Sequence, residues 1–480
     1  MPLKGMMKIT DKQHAIYIVV LSFIFLISCQ STPSSLYDIT SHLTEAENLI
    51  AEKSYTDAIL ILEEVIKHDP KAIEPRHKLA EIYLVQYRWE LAQRRFNEIL
   101  NIDSNNQAAK LGLAESLLQQ GKPTESINWW HNVIEHDSES MEAWLGLGRA
   151  YMARRKYSRA EATFLTPLES SGMQTLKFLH SESGRQILWY LSALTLPADL
   201  SKGQTYLNNL DSPQANYLKE TIAPFTTETH QAEVAKIIGI ALIQLGEWEL
   251  ADNALNIATT YNSTDADAWA FFGYTKVNLG LPAMESFNHA RKLDPAIALT
   301  PYFEGIYFRR QGLPDLAIDR FLEALDYDPN NLGIAMEAAF TLAETGNYIS
   351  AEAWYQAIVK LEPESVTSQQ QLTMFYVERS YHVLEHGLPA AERLLEMERD
   401  NPQAYNLLGW AKFQTGDYVG AEIELRKALE LAPYDVSIRY HLGRVLKAQR
   451  RDVEAEQEFK HAIDWDISGV YRNYVFNIRR

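Results

Sequence analysis

The sequence has a single cysteine, Cys29, among 480 residues. One thiol excludes an internal disulfide framework and any zinc site that is built from several thiolates. Basic residues are also scarce, with 45 Lys and Arg against 63 Asp and Glu, and the formal net charge is −18. Because nucleic-acid binding relies on clustered positive charge and no basic block is present, we expect no nucleic-acid partner.

Common catalytic motifs are missing as well. The sequence contains no G-x-x-x-x-G-K-[ST] loop, no G-x-G-x-x-G turn opening a βαβ unit, and neither G-x-S-x-G nor H-E-x-x-H. It does contain one H-x-x-E-H pattern at residues 382–386 (HVLEH), which resembles the inverted zinc-peptidase motif. In a continuous helix both histidines would share one face, with Glu385 as the base and a further carboxylate ligand required.

This five-residue pattern arises easily by chance in a helix-rich chain, and it stands just before the turn residues Gly387-Leu388-Pro389. We therefore predict a polar turn surface there, with a catalytic zinc site or an adventitious metal site as the alternatives. We expect no enzymatic activity, no cofactor and no metal.

Long apolar runs are absent apart from one near the start. Residues 16–27 (IYIVVLSFIFLI) form an apolar run of 12 that contains one serine, Ser22, and Lys4, Lys8 and Lys12 precede it. Twelve residues are short for a bilayer span. The run leads into residues 26–29 (LISC). These are an aliphatic residue, a residue at a position that accepts several side chains, a small residue and then cysteine. This segment resembles the signal peptide and lipobox of bacterial lipoproteins.

The resemblance implies removal of residues 1–28 and acylation of Cys29, with residues 29–37 as a lipidated tether. Two or three acyl chains suffice for stable membrane anchoring. Gln30 follows the cysteine where inner-membrane retention would use Asp, so the resemblance implies an outer-membrane lipoprotein facing the periplasm. An uncleaved anchor or an ordinary secretory signal remains the alternative.

Small residues recur in the rest of the chain with a fixed period. The first series advances in steps of 34 up to Gly148 and resumes at Gly239, with one shorter step of 32 and one of about two periods. Its members are Ala46, Ala80, Ala114, Gly148, Gly239, Gly273, Gly305, Ala339, Gly409 and Gly443. A companion series of small residues follows it at Ala58, Ala92, Ser126, Ala160, Ala251, Ala283, Ala317, Ala351, Ala390, Ala421 and Ala455. A fixed period of this length indicates a repeat architecture.

Each period contains two apolar stripes of helical spacing, separated by a turn that often holds glycine. The small residue of the first helix predicts a close crossing with a bulky side chain of the second, namely Phe96, Trp130, Phe164, Phe287, Phe321, Tyr355 or Phe459. Proline often closes the second helix, at Pro70, Pro295, Pro329, Pro363, Pro402 and Pro433.

The pattern resembles the tetratricopeptide repeat, most clearly in residues 144–151 (WLGLGRAY) with Ala160 and Phe164. The resemblance implies an all-α fold, a right-handed α-solenoid of about 10–11 helix-turn-helix repeats. Stacking buries the face that one repeat alone cannot bury.

The phase of the repeat divides the chain. We predict an N-terminal array at 38–167, an irregular helical spacer or degenerate repeats at 168–230, and a C-terminal array at 231–466. Residues 467–480 are predicted to form a capping tail. The ninth repeat carries about five extra residues around 380–388.

In this repeat family the first helix of each pair lines a groove that binds a partner. Carrying that register over predicts groove residues of two sets: Phe271, Tyr274, Tyr302, Phe303, Arg309, Arg310 and Phe340, and then Asn406, Trp410, Phe413, Tyr440, Arg444 and Lys447. Aromatic residues with arginine are typical of interface anchors. They favour an extended peptide that carries an acidic group or a terminal carboxylate.

The resemblance thus implies a non-catalytic protein-interaction scaffold, with an envelope protein or peptide as partner. It would assist the assembly or regulation of an envelope machine, such as pilus or secretion assembly, polysaccharide export or peptidoglycan enzymes. The alternative is a ligand-binding lipoprotein that captures a glycan or peptide for an outer-membrane transporter.

Overall fold

The computed structural model describes residues 38–171, 180–226 and 229–479. The predicted signal peptide, Cys29 and the tether lie outside the described residues. Among the described helices, none has the length and apolar character that crossing a membrane requires.

Helices form all regular structure in these ranges, which contain 26 α-helices, one π-helical turn and no strand. The first eleven are α1 (Ile39–Ala51), α2 (Tyr55–His68), α3 (Glu74–Val85), α4 (Trp89–Ile102), α5 (Gln107–Gln119), α6 (Pro123–His136), α7 (Met141–Ala153), α8 (Tyr157–Ser171), α9 (Glu182–Thr195), α10 (Leu200–Leu207) and α11 (Pro213–Ile222). The next eight are α12 (Gln231–Gln244), α13 (Trp248–Tyr261), α14 (Ala266–Asn278), α15 (Met284–Leu293), α16 (Leu299–Arg310), α17 (Pro314–Tyr327), α18 (Leu332–Glu344) and α19 (Tyr348–Leu361). The last are α20 (Val366–Glu378), the π-helical turn (Val383–Gly387), α21 (Leu388–Met397), α22 (Pro402–Gln414), α23 (Tyr418–Leu431), α24 (Val436–Ala448), α25 (Asp452–Trp465) and α26 (Val470–Arg479).

Eleven helix pairs of the described chain follow the repeat, four from α1/α2 to α7/α8 and seven from α12/α13 to α24/α25. The predicted all-α fold and the predicted number of repeats are confirmed. The chain divides into two compact bodies, one up to Pro75 and one of Arg76–Arg480. The first holds α1 and α2, and the second holds all the sites discussed below.

Polar side chains start the first helix of most pairs. Asn106, Ser140, Asp265, Asn331 and Asp435 each accept a hydrogen bond from a backbone N–H in the first turn of the following helix. These caps satisfy donors that the helix itself leaves unpaired. In these pairs the capping residue specifies where the first helix begins.

The small residues of the repeat lie where the predicted bulky side chains cross. A Cβ added at Gly148 would stand 2.1 Å from the Phe164 ring, and one at Gly305 would stand 2.5 Å from the Phe321 ring. Phe164 and Phe321 are both fully buried. The glycines are therefore required by the close approach of the two helices, as the sequence predicted.

The turn inside each pair requires a left-handed backbone. Glycine supplies it in six turns, with φ between 67° and 92° at Gly121, Gly246, Gly280, Gly312, Gly346 and Gly416. Other turns use a non-glycine residue in the same conformation, as Tyr87 (φ 55°) and Arg450 (φ 64°) do. These positions hold local strain that glycine would relieve.

We expect Arg450→Gly to raise the free energy of unfolding by about 0.5–1 kcal/mol. A left-handed residue other than glycine is disfavoured by about 1–2 kcal/mol, and glycine's extra freedom in the unfolded chain offsets part of that gain. Urea denaturation followed by circular dichroism measures the change. Gly416→Arg, the reverse substitution, should lower stability, and a lowered midpoint for Arg450→Gly would contradict the prediction.

The segment predicted as an irregular spacer contains the three helices α9, α10 and α11. Their buried residues belong to one hydrophobic cluster that runs from Leu145 on α7 to Ala254 on α13. Next to this cluster, Arg155 forms two hydrogen bonds with the fully buried Asp252, from Nε at 2.9 Å and from Nη2 at 3.0 Å. The fourth pair is thereby joined directly to α13 across 97 residues.

The ninth pair departs from the regular repeat where extra residues were predicted. The π-helical turn Val383–Gly387 lies between α20 and α21, with His382 before it at φ 46°. One detail of the sequence prediction was wrong: Pro402 does not close a helix but is the first residue of α22. Proline suits that position because its missing N–H would have no partner there.

A further contact joins distant parts of the second body. The buried side chain of Gln86, just after α3, donates from Nε2 to the main-chain oxygen of Asp464 on α25 at 3.2 Å. The second and the eleventh pair are therefore neighbours in space.

Candidate peptide-binding surface

The predicted groove residues form two clusters on the first helices of the pairs. We call the first the Arg309 cluster; it comprises Tyr274 on α14, Tyr302, Phe303 and Arg309 on α16, and Phe340 on α18. We call the second the Arg444 cluster; it comprises Asn406, Trp410 and Phe413 on α22 with Tyr440, His441 and Arg444 on α24. The two clusters share a composition but differ in how their arginines are paired.

In the Arg309 cluster the guanidinium is neutralised. Arg309 Nη1 lies 2.5 Å from Glu337 Oε2, and the Arg309 guanidinium lies 5.1 Å from the centre of the Phe340 ring. The Phe340 ring is exposed to solvent. Burial raises the pKa of Tyr302 to about 12, so its hydroxyl stays protonated and uncharged. This cluster offers an apolar surface with little net charge.

Three other predicted groove residues, Phe271, Phe303 and Arg310, are buried or bound to neighbouring groups. Phe303 is buried and stacks on Tyr274, with ring centres 4.4 Å apart, and Phe271 lies against it at 5.4 Å. Arg310 donates to the oxygens of Val277 and Asn278. Phe303 is therefore the buried part of the cluster, and Phe271 and Arg310 contribute to packing between repeats.

In the Arg444 cluster one guanidinium lies among three aromatic rings. The Arg444 guanidinium carbon is 5.7 Å from the Trp410 ring centre and 5.8 Å from those of Phe413 and Tyr440. Its Nη1 donates to the Tyr440 hydroxyl at 2.9 Å. No carboxylate pairs with Arg444 in the part of the chain that the structure describes. A half-buried cation therefore stands beside aromatic surface with its charge unpaired.

A hydrogen-bond network holds the cluster in place. The Asn406 amide donates to Gln403 and Ser437, so its oxygen faces His441 Nδ1 at 2.8 Å, and that nitrogen carries the proton. Burial lowers the pKa of His441 to about 3, which leaves the imidazole neutral. His441 and Phe413 both stack on Trp410, with ring centres 4.2 and 4.6 Å away. Trp410 is thus fixed in position.

Helix α26, in the segment predicted to form a capping tail, contributes aromatic residues that the groove prediction did not include. Tyr471 and Tyr474 on α26 lie 5.4 and 5.8 Å from Tyr440, which is buried, and Lys447 Nζ lies 3.5 Å from the main-chain oxygen of Ile478. His441 was missed because the repeat register assigns its position to helix packing. The Tyr-rich and Arg-rich composition of the tail was the only available signal.

The cavities of the described residues lie elsewhere. One of about 570 Å³ is lined by His230, Lys236 and Asp265, and the last two form an ion pair at 2.7 Å. A second, of about 390 Å³, lies between α9 and the residues that follow α10. Their charged groups are already paired in part, whereas Arg444 has only ring and hydroxyl neighbours among the described residues, so the Arg444 cluster is the stronger candidate for a binding site.

Comparison with known protein families identifies the repeats. Two family models, both described as "Tetratricopeptide repeat", match this chain, one at residues 49–105 and the other at 111–168, 303–366 and 385–436. The predicted tetratricopeptide repeats are therefore confirmed.

Two human proteins are similar in sequence to this chain. Protein O-mannosyl-transferase TMTC3 is 20% identical over 376 residues, which cover 77% of this chain and 40% of the human protein. Tetratricopeptide repeat protein 21A is 28% identical over 90 residues, covering 19% of this chain and 7% of that protein. The chain thus spans less than half the length of either relative.

Among solved structures, yeast Tom70 is similar with a TM-score of 0.39 and 13% sequence identity. The match covers 92% of this chain and 96% of that chain.

Proposed function

We propose that this chain of tetratricopeptide repeats is a non-catalytic interaction scaffold that binds an acidic, extended segment of a partner protein at the Arg444 cluster. The unpaired Arg444 guanidinium is the observation that carries the proposal. A guanidinium presents a planar fork of donors that matches a carboxylate, and adjacent rings provide apolar contact. The cluster draws residues from α22 and α24, the first helices of two adjacent pairs, so it spans two repeats.

A glycan ligand is less compatible with the geometry. Sugar recognition would need an open aromatic face, whereas Trp410 is already stacked by two rings and Tyr440 is buried. The cluster also contains no nucleophile paired with a base, and its histidine is neutral and hydrogen-bonded to an amide. Peptide binding therefore suits it better than either saccharide capture or catalysis.

We further propose that the scaffold lies in a bacterial envelope, anchored by lipids on Cys29 to the outer membrane and facing the periplasm. The support for this location is the lipobox-like pattern of residues 26–29. There the scaffold would assist assembly or regulation of an envelope machine. Labelling cells with an alkyne fatty acid tests the anchor: the native chain should carry the label and Cys29→Ser should not.

Arg444→Ala is expected to weaken peptide binding about tenfold or more, because hydrogen bonds to charged groups contribute about 1.5–3 kcal/mol and each 1.4 kcal/mol is a factor of ten. The probe is a fluorescein-labelled octapeptide of Gly and Ser that ends in three glutamates and a free carboxylate. Fluorescence anisotropy measures its Kd, and a lysine-terminated octapeptide serves as the reference ligand.

Arg309→Ala is the matched control. Arg309 also lies beside an aromatic ring, but Glu337 already neutralises its charge. Its affinity for the acidic peptide should change less than threefold. Equal losses in both variants would show a diffuse electrostatic effect and contradict a site at Arg444. Equal affinity of the acidic and lysine peptides would contradict the chemistry proposed for the ligand.

A photo-crosslinking residue in cells would then identify the natural partner. It would replace Trp410 in the cluster and, as a control, the exposed Ile423 on the second helix of the same pair. A protein captured from position 410 and not from 423, and lost with Arg444→Ala, would support the scaffold.

A further inference from the structure

The H-x-x-E-H pattern at residues 382–386 takes no part in the proposed peptide site, yet the structure adds a third group to it. Glu352 on α19 lies beside His382 and His386, and one ligand atom from each of the three residues lies within 4.8 Å of the other two. His382 Nδ1 is 3.8 Å from Glu352 Oε1. We propose that these three side chains bind a divalent transition-metal ion, Zn²⁺ in the first place, which links the eighth and ninth helix pairs.

The ligand set suits such an ion. Two imidazole nitrogens and one carboxylate oxygen are typical zinc ligands, with bonds of about 2.0–2.2 Å, whereas Mg²⁺ and Ca²⁺ prefer oxygen alone. A tetrahedral ion holds its ligands roughly 3.4 Å apart at these bond lengths. The observed separations therefore need only small side-chain rotations to close on the ion, and water would complete the coordination.

The backbone brings the two histidines together in an unusual way. Ser380 and His382 adopt left-handed conformations, with φ of 51° and 46°, and the π-helical turn Val383–Gly387 follows. The two imidazole rings end with their centres 5.6 Å apart. The histidines are therefore not on the continuous helix that the motif would need for peptidase chemistry, and Glu385 is not the third ligand.

The carboxylate is held in place by a second layer of hydrogen bonds. The Tyr376 hydroxyl donates to Glu352 Oε1 at 2.8 Å, and Gln356 Nε2 donates to the Tyr376 hydroxyl at 2.9 Å. Tyr376 is buried, so its hydrogen bond to Glu352 is shielded from water. Outer groups that orient a ligand in this way strengthen metal binding.

The position of the ion would give it a structural role. Glu352 belongs to the second helix of the eighth pair, and the histidines belong to the irregular turn of the ninth. In a repeat protein, each repeat is stabilised by the interface that it shares with its neighbours. The ion would therefore fix a junction at which extra residues interrupt the regular stacking.

Isothermal titration with ZnCl₂ tests the proposal on the full chain, purified in detergent without a histidine tag and treated with a chelator. We expect saturable binding of one Zn²⁺ that excess Mg²⁺ does not displace. Glu352→Gln, His382→Ala and His386→Ala should each weaken it at least tenfold. His131→Ala, at an exposed histidine far along the chain, should leave it unchanged.

Two results would overturn the proposal. The first is the lack of a saturable Zn²⁺ site in the native chain. The second is loss of binding in both histidine variants but not in Glu352→Gln, which would indicate a chance histidine pair. Circular dichroism of each metal-free variant shows whether it folds. Thermal unfolding with and without Zn²⁺ gives a second readout, since Tm should rise with Zn²⁺ in the native chain and not in the three variants.

Discussion

Arg155→Ala is expected to lower the free energy of unfolding by about 1–3 kcal/mol, the cost of leaving a buried acceptor without its partner. The loss stays below that for a fully buried ion pair because the Arg155 side chain is 40% exposed and water screens its charge. Asp252 is fully buried, and Arg155 satisfies both of its carboxylate oxygens. The Tyr157 hydroxyl, at 2.6 Å from Oδ2, is a neutral partner and cannot replace the lost charge. The variant would therefore leave a buried charge without a counter-charge.

Urea denaturation measures this effect, followed by both circular dichroism and tryptophan fluorescence because long repeat arrays can unfold in stages. Arg154→Ala is the control, since Arg154 is the adjacent residue on the same turn and is exposed as Arg155 is. Its midpoint should stay within about 0.5 kcal/mol of the native protein. A similarly small change in Arg155→Ala would mean that the contact with Asp252 does not hold the fourth pair to α13.

Phe321→Ala is expected to destabilise the protein by about 3–5 kcal/mol, as is usual when a buried aromatic side chain is truncated to alanine. The Phe321 ring is fully buried and fills the space above Gly305 on the paired helix. Leu322→Ala is the matched control, because Leu322 is the next residue on α17 and is 41% exposed. Its effect on the unfolding midpoint should be several-fold smaller.

Gly305→Ala tests the same crossing from the other helix. Alone it should destabilise the protein, because its Cβ would clash with the Phe321 ring. In the Phe321→Ala background it should instead stabilise, since the clash is gone and alanine favours a helix over glycine by about 1 kcal/mol. Additive effects in this double-mutant cycle would contradict a direct contact between the two positions.

Much of the fold could be predicted because each repeat is specified locally. A glycine at the helix crossing, an aromatic residue opposite it and a capping residue such as Asn331 all act within about 34 positions of one another. The repeat period was therefore enough to predict where the helices begin and end and which two helices pack together. The prediction was wrong at Pro402, because proline occurs in the first turn of a helix as well as after the end of the preceding one.

The candidate site was predicted only in outline. The repeat register placed Arg309 and Arg444 on equivalent faces, and the sequence treats them alike. The structure separates them, since Glu337 on the next first helix pairs with Arg309 while Arg444 has only ring and hydroxyl neighbours among the described residues. Pairing of charges depends on side chains from adjacent repeats, and the register of one repeat does not contain it.

The sequence by itself thus determined the helical repeat, its boundaries and its close crossings, since these depend on neighbours within one or two repeats. Only the tertiary structure joined Arg155 to Asp252, Gln86 to Asp464, and Glu352 to the histidines of the irregular turn. These contacts arise from stacking rotations that accumulate over several repeats and from an interruption of the period. The residue pattern within one repeat does not determine the rotation between repeats. The long-range geometry is the sum of many such small rotations, because each repeat contacts mainly its neighbours.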